Sequence, residues 1–261
     1  MNQSDDNTII NIINVSHTYD GEKTSVDALD NIDLEIKKGE FMCVLGPSGC
    51  GKSTLLKLIA GFEKPTSGQI LLRGEPVSGP DWHRGVVFQM PTLYPWLNVY
   101  RNVEYGLKMR GVEEKERAQT VNEYLELVGL SDFKQSKTYE LSGGMRQRVA
   151  MARVLVNHPD IILMDEPFGA LDALTRQNMQ GVIKDIWKKT NSTIFLITHD
   201  VDEALILGTS VVVMTASPGR VAKQIATDYW DSCDREGDSK VRYSGEYGRI
   251  REELLNLIMK V

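Results

Sequence analysis

The residues best equipped for chemistry stand together as Gly46-Pro47-Ser48-Gly49-Cys50-Gly51-Lys52-Ser53-Thr54. They match G-x-x-x-x-G-K-[ST], in which glycines let backbone N–H groups converge on phosphate oxygens. A helix that starts here adds the positive end of its dipole. In such a loop Lys52 reaches the β- and γ-phosphates, Ser53 offers its hydroxyl to Mg²⁺, and the Thr54 N–H adds a phosphate contact. The pattern has this meaning only between a strand and a helix. Phe41-Met42-Cys43-Val44-Leu45, bounded by Gly39 and Gly46, reads as a short buried strand. Leu55-Leu56-Lys57-Leu58-Ile59-Ala60 is rich in helix formers and stops at Gly61. Nucleotide binding follows from the conjunction.

Other candidates lie where apolar runs end. Gly85-Val86-Val87-Phe88 reads as a strand that delivers Gln89 to its carboxyl end, the edge at which α/β sheets bind ligands, so Gln89 can meet Mg²⁺ or an attacking water. Ile161-Ile162-Leu163-Met164 leads into Asp165 and Glu166; Asp165 can hold Mg²⁺ through water, and Glu166 can polarise the attacking water. Thr193-Ile194-Phe195-Leu196-Ile197 ends at His199, placed to contact a γ-phosphate, although a lone histidine is more often structural. Leu141-Ser142-Gly143-Gly144-Met145-Arg146-Gln147 opens a helix whose apolar positions run Met145, Val149, Ala152, Val156. Ser142, Gly143 and Gly144 make either an ordinary cap or a second anion site. Tyr19 lies between two early strands, upstream of the phosphate loop, where an aromatic ring can stack on a base or simply half-pack in a loop.

These groups need a scaffold. Residues 9–15 and the alternating Ile32, Leu34 and Ile36 predict two antiparallel strands, and Lys37-Lys38-Gly39-Glu40 a tight turn. Strand–helix alternation follows, which predicts an α/β fold with a mixed, largely parallel core sheet. Residues 91–97 interleave two prolines with four large apolar or aromatic side chains, so they predict a loop, either packed under the core or presented to a protein. A helical pattern runs from 99 to about 130. The last stripe, Ile250, Leu254, Leu257, Ile258 and Val261, predicts an end helix after an acidic stretch at 228–240.

The chain has 261 residues, 41% hydrophobic, 25% charged, with a net charge of -6, which suits one α/β domain with an inserted lobe and argues against a broad nucleic-acid surface. Three scattered cysteines, Cys43, Cys50 and Cys233, imply reduced thiols in a cytoplasmic protein rather than a disulfide framework or zinc site. No signal peptide or spanning segment is expected, so membrane association must come through a partner.

With these pieces in this order, the chain resembles the ATP-binding cassette ATPases of ABC transporters over essentially its full length. The phosphate loop corresponds to Walker A, Gln89 to the Q-loop, residues 141–147 to the signature, and 161–166 to Walker B; Ala170-Leu171-Asp172 corresponds to the D-loop and His199 to the switch histidine. The resemblance implies a P-loop ATPase fold: residues 1–89 and 141–227 as a RecA-like core with an antiparallel β subdomain, about 90–140 as an inserted α-helical subdomain, and 228–261 as linker and C-terminal helix. It implies ATP and Mg²⁺ as ligands, with Tyr19 on adenine. It also implies a head-to-tail dimer, expected to be a homodimer, in which Ser142, Gly143, Gly144 and Asp172 serve the partner's nucleotide. Tyr94, Pro95 and Trp96 lie where a membrane permease's coupling helix docks, which tips residues 91–97 towards an interface. An extracytoplasmic solute-binding protein is then an indirect partner, nucleic acid is not a partner, and the chain sits peripherally on the cytoplasmic face.

Pro95-Trp96-Leu97, residues 165–176 and Ser217-Pro218-Gly219-Arg220 are similar to the nitrate, sulfonate, taurine and bicarbonate importer group. The regulatory β-domain of sugar importers is not expected after the core. Competing classes are a soluble cluster-assembly cassette, an exporter motor and a P-loop small-molecule kinase; the last has no place for the signature or His199. Cys50 occupies a variable loop position, which predicts that a thiol reagent inactivates the protein and that ATP protects it.

Overall fold

The computed structural model describes residues 7–21, 24–169, 171–227 and 245–259. The Trp-containing acidic stretch at 228–240, Cys233, Ala170 and Val261 therefore lie outside the described residues. Two compact units emerge, one of residues 1–81 with 193–261, the other of residues 82–192.

In the first unit, β1 (Thr8–Asp20) and β2 (Ser25–Lys37) form a long antiparallel pair, and β4 (Ser67–Leu72) and the short β5 (Glu75–Pro76) extend it in the order β2-β1-β4-β5. The second sheet of this unit runs β10 (Val221–Ala226), β9 (Ser210–Met214), β3 (Phe41–Leu45), β8 (Thr193–Ile197). It is mixed: β3 lies parallel to both β8 and β9, while β10 is antiparallel to β9. Every residue of β3, β8 and β9 is buried, which explains their unbroken apolar runs. The turn at 37–40 closes with the Glu40 N–H donating to Lys37 O at 3.1 Å, and Gly39 takes the φ of 75° that it needs.

Helix α1 (Lys52–Ala60) follows β3 and ends at Gly61, whose φ of 78° lets the next two N–H groups fold back onto Leu58 and Lys57 carbonyls. Helix α6 (Val201–Leu207) follows β8, and α7 (Gly245–Met259) packs on α6 and β9. The expected end helix is thus present. It buries Leu254 and Tyr247, while Ile250, Leu257 and Ile258 are half-buried. Tyr247 Oη and Arg251 Nε both donate to Asp202 Oδ1, at 2.7 and 2.9 Å, tying α7 to the first turn of α6.

In the second unit β6 (Arg84–Val87) and β7 (Ile161–Asp165) run parallel, with α2 (Val99–Met109), α3 (Glu114–Leu127), α4 (Gly143–Leu155) and α5 (Ala173–Thr190). The helical pattern expected over 99–130 is two helices, because Gly111, at φ 73°, interrupts it. Fully buried Asn102 organises the proline-rich loop. It accepts from the Tyr94 N–H at 2.9 Å and donates to the carbonyls of Tyr94, Leu97 and Asn98 at 3.2, 3.3 and 3.0 Å. A single side chain thus supplies the backbone partners that proline denies the loop.

Candidate functional site

Two strand edges position the candidates, one in each unit. In the first unit β3 and β8 are adjacent and parallel, with Val44 opposite Ile197. The phosphate loop and Thr198-His199 therefore leave the same carboxyl edge, and the Thr198 N–H donates to Val44 O at 3.2 Å. His199 is exposed; Asp200 then caps α6, its Oδ1 accepting from the Asp202 and Glu203 N–H groups at 2.9 and 3.1 Å.

The phosphate loop wraps its own lysine. Lys52, only 8% exposed, donates through Nζ to Gly46 O at 2.8 Å and Pro47 O at 2.9 Å, with Cys50 Sγ at 3.5 Å. Gly49 sits at φ 80° with open space where a side chain would stand, so its backbone can be approached closely. Gly51, at φ 87°, has the opposite constraint: a Cβ there would meet Ala28 O at 2.7 Å. Ser53 is exposed at the start of α1, and Thr54 is half-buried. The Cys50 side chain points inward and is buried, so the expectation of a readily alkylated thiol is corrected: the loop turns Sγ beneath Gly46 and Lys52.

Sequence reasoning missed what supports the loop from behind. A Cβ at Gly219 would lie 2.2 Å from Cys50 O, and Gly219 exchanges backbone hydrogen bonds with Ala28 and Asp30 at 3.0 Å each. The Ser217-Pro218-Gly219-Arg220 segment, recognised only as a similarity, is thus packed against the phosphate loop and β2. Its signal was the glycine itself.

Tyr19 is not in a loop between strands. It lies within β1, opposite Val26, because β1 continues through register shifts around Asn14 to Asp20. The residue is 38% exposed, and its hydroxyl lies 3.3 Å from Thr54 Oγ1 and 2.7 Å from Glu63 Oε2. Burial raises the Tyr19 pKa, and Glu63 adds to the rise against the hydrogen bond from Thr54. For Glu63, burial acts upward, yet hydrogen bonds from Tyr19 and Lys57, with the Lys57 and His17 charges, hold the carboxyl below its ordinary range.

In the second unit β6 and β7 run parallel with Val87 opposite Met164, so Gln89, Asp165 and Glu166 follow adjacent strand ends. A Cβ at Gly169 would stand 3.1 Å from Gln89 Nε2 and 3.8 Å from Glu166 Oε2, which places the amide and the carboxylate around one small space. Glu166 holds φ at 44°, a left-handed conformation that costs a non-glycine residue about 1–3 kcal/mol and clusters at functional sites. Buried Gln147, on α4, donates to Phe88 O at 3.3 Å and so links the 141–147 segment to the residue before Gln89.

Ser142 caps α4, its Oγ accepting from the Met145 N–H at 3.3 Å. Gly143 is exposed with nothing within 4 Å of a built Cβ, whereas a Cβ at Gly144 would meet Thr175 Cγ2 at 2.6 Å. Asp172 caps α5 by accepting from the Thr175 N–H at 3.0 Å, and those bonds with Thr175 lower its pKa. Tyr94 is half-buried beside Tyr105, ring centroids 4.7 Å apart, while Pro95 and Trp96 are exposed, Trp96 by 70%. Arg153 donates to Thr92 O at 2.7 Å and lies over the Tyr94 ring; burial lowers its pKa.

Among the described residues no helix is long and apolar enough to cross a membrane, and no group of three or more His, Cys, Asp or Glu could hold a metal.

Residues 29–169 match the sequence family described as ABC transporter. The taurine import ATP-binding protein TauB of Roseobacter denitrificans is 50% identical over 233 residues, 89% of this chain and 87% of its own. The nitrate import ATP-binding protein NrtD of Synechocystis is 43% identical over 251 residues, 95% of this chain and 94% of its own. Among solved structures, the ATP-binding cassette MJ0796, in a dimeric post-hydrolysis state bound to ADP and phosphate, superposes with a TM-score of 0.74 at 33% identity, covering 84% of this chain and 99% of that one.

Proposed function

Because this chain belongs to the ABC transporter family as an ATP-binding subunit, we propose that it hydrolyses ATP to drive import of a small anion of the taurine, sulfonate or nitrate kind. The observation that carries this reading is the presence, in one chain, of the Lys52 loop and the Ser142-capped helix α4, in a sequence half identical to a taurine import subunit.

The two phosphate-ready helix ends belong to different nucleotides. Lys52, Ser53, Thr54 and the loop N–H groups hold the triphosphate of the protomer's own ATP, with the Tyr19 ring on adenine. Ser142, Gly143 and Gly144, with Asp172, face the ATP of a second cassette. The open space at Gly143 supports a close approach there by something other than this chain. Each protomer therefore owns two half-sites. Clamping the pair shut excludes water and brings a second helix N-terminus to the γ-phosphate. Glu166 then polarises an attacking water, whose oxygen bonds to the γ-phosphorus while His199 holds the γ-phosphate; the bond from that phosphorus to the bridging oxygen breaks, and ADP and inorganic phosphate leave.

Ser53, Gln89 and Asp165 are all oxygen donors, a hard set that suits Mg²⁺ better than zinc or copper. Bound there, Mg²⁺ would neutralise the charge that develops on the β- and γ-phosphate oxygens. Residues 1–89 and 141–227 act as the RecA-like core with its β subdomain, and about 90–140 as the helical subdomain. The exposed Pro95 and Trp96 beside Tyr94 receive the permease, through which the chain stays peripheral on the cytoplasmic face; a solute-binding protein outside delivers the anion.

The test is ATP turnover in a complex reconstituted with its permease and solute-binding protein. Taurine, another sulfonate or nitrate should raise turnover severalfold over the solute-free rate. A complex stimulated only by a cationic or sugar solute would contradict the anion assignment.

A further inference from the structure

Tyr19 is held by a chain of polar contacts that starts at Thr54 in the phosphate loop and runs on to Glu63 and His17, which belong to none of the cassette motifs. Its phenol has one proton and two oxygen neighbours, Glu63 Oε2 at 2.7 Å and Thr54 Oγ1 at 3.3 Å. A carboxylate can only accept, so the phenol donates to Glu63, the shorter contact, and accepts from the Thr54 hydroxyl. The order is thus Thr54 to Tyr19 to Glu63. Glu63 is itself pinned: Lys57 Nζ donates to Oε1 at 3.2 Å, and His17 Nε2 lies 3.4 Å from Oε2. His17 is 8% exposed, makes no hydrogen bond through either ring nitrogen, and meets the Tyr19 ring edge-on, centroids 4.6 Å apart and planes at 88°. The side chain is consequently fixed at its hydroxyl by Glu63 and along its side by His17, while 38% of the residue's surface stays exposed.

We infer that Glu63 is a positioning residue for the nucleotide base: it locks Tyr19 as a preset platform and, through the Thr54 hydroxyl, ties that platform to the first turn of the phosphate-binding helix. This rests on the reading that Tyr19 stacks on adenine. A platform already fixed before binding spares the nucleotide the cost of ordering an aromatic side chain. The base and phosphate subsites also move as one body, because Thr54 belongs to one and touches the other.

The experiment measures binding to the full chain in EDTA by titration calorimetry, with two probes: ATP, and inorganic tripolyphosphate, which has no base. Glu63→Ala should weaken ATP about threefold to tenfold, the cost of ordering one side chain, and leave tripolyphosphate unchanged. Glu63→Gln, which can still accept from Tyr19, should stay within about twofold of the parent for ATP. Tyr19→Phe should match Glu63→Ala, and the double variant should be no weaker than Tyr19→Phe alone, since both delete one link. If Tyr19→Ala weakens ATP but Glu63→Ala does not, the base platform stands and the positioning role is overturned. Unchanged ATP affinity in Tyr19→Ala overturns the adenine reading and this inference with it. Equal weakening of ATP and tripolyphosphate by Glu63→Ala would also overturn it, by placing Glu63 in support of the phosphate loop rather than of the base.

Discussion

Replacing Gly143 by alanine separates what a protomer needs to fold from what a pair needs to turn over ATP. Gly143 is the first residue of α4, is exposed, does not have positive φ, and would meet nothing within 4 Å through an added Cβ. The isolated chain therefore loses nothing. Glycine to alanine within a helix contributes up to about 0.5–1 kcal/mol, so the melting temperature should hold or rise by roughly 2–4 °C. A partner's γ-phosphate oxygen, by contrast, must sit about 2.7–3.1 Å from a backbone N–H, well inside the ~3.5–4.0 Å that a carbon contact demands. Pushing it back forfeits a charge-assisted hydrogen bond, about 1.5–3 kcal/mol, or about tenfold to a hundredfold in turnover. The assay pairs thermal melting with steady-state ATP hydrolysis, and Gly144→Ala is the control that should lose stability as well, because its Cβ collides with Thr175 Cγ2. Wild-type turnover by a stable Gly143→Ala protein would mean that no second nucleotide approaches that residue closely.

Other outcomes follow from particular contacts. Asn102→Ala removes a buried side chain that satisfies loop 91–97, so chemical denaturation should report a loss of about 2–4 kcal/mol, and tryptophan emission from Trp96 should shift as the loop loosens. Cys50 should react slowly with maleimide in the folded protein and promptly after denaturation, as followed by mass spectrometry, because its side chain is buried beside Lys52. The pH dependence of the Tyr19 contact has a defined sign. The Glu63 carboxyl is lowered in the fold, so its stabilising contribution is complete above the ordinary value of 4.5 and is lost as pH falls through the lower folded value. Tyr19 is raised above 10.0, so the donor survives alkali up to that point. A titration of Tyr19 absorbance and thermal stability should therefore find the contact intact from mildly acidic pH to about 10, and Glu63→Gln should flatten the acid limb.

The parts of the site that local rules govern were legible in the sequence. Gly39, Gly46 and Gly61 bracket β3 and α1 because backbone turns at those points need glycine or a break, and Ser142 caps α4 because an orphan N–H needs an acceptor. The apolar runs that deliver Asp165 and His199 are strands that are buried throughout their apolar length. What escaped the sequence depends on distant partners. Tyr19 reads as a loop residue until β2 pairs with β1 as far as Asp20, and its contact with Glu63 spans 44 positions that no local pattern connects. Cys50 reads as a reactive loop thiol, and only the fold shows its side chain buried beside Lys52 with Gly219 behind its carbonyl. Asn102 is one polar letter in a helix, and its hold on the proline-rich loop is set by burial alone.

In the proposed mechanism one chain carries two half-sites for ATP, and only a pair makes a complete one. Its most direct test is the solution mass of Glu166→Gln, which should bind but scarcely hydrolyse, measured by light scattering with saturating ATP. The mass should shift from that of the 29.3 kDa protomer to twice that value, and return when Gly143→Val is added. A Glu166→Gln protein that stays at the protomer mass with ATP bound, under conditions in which a wild-type monomer turns ATP over, would contradict it.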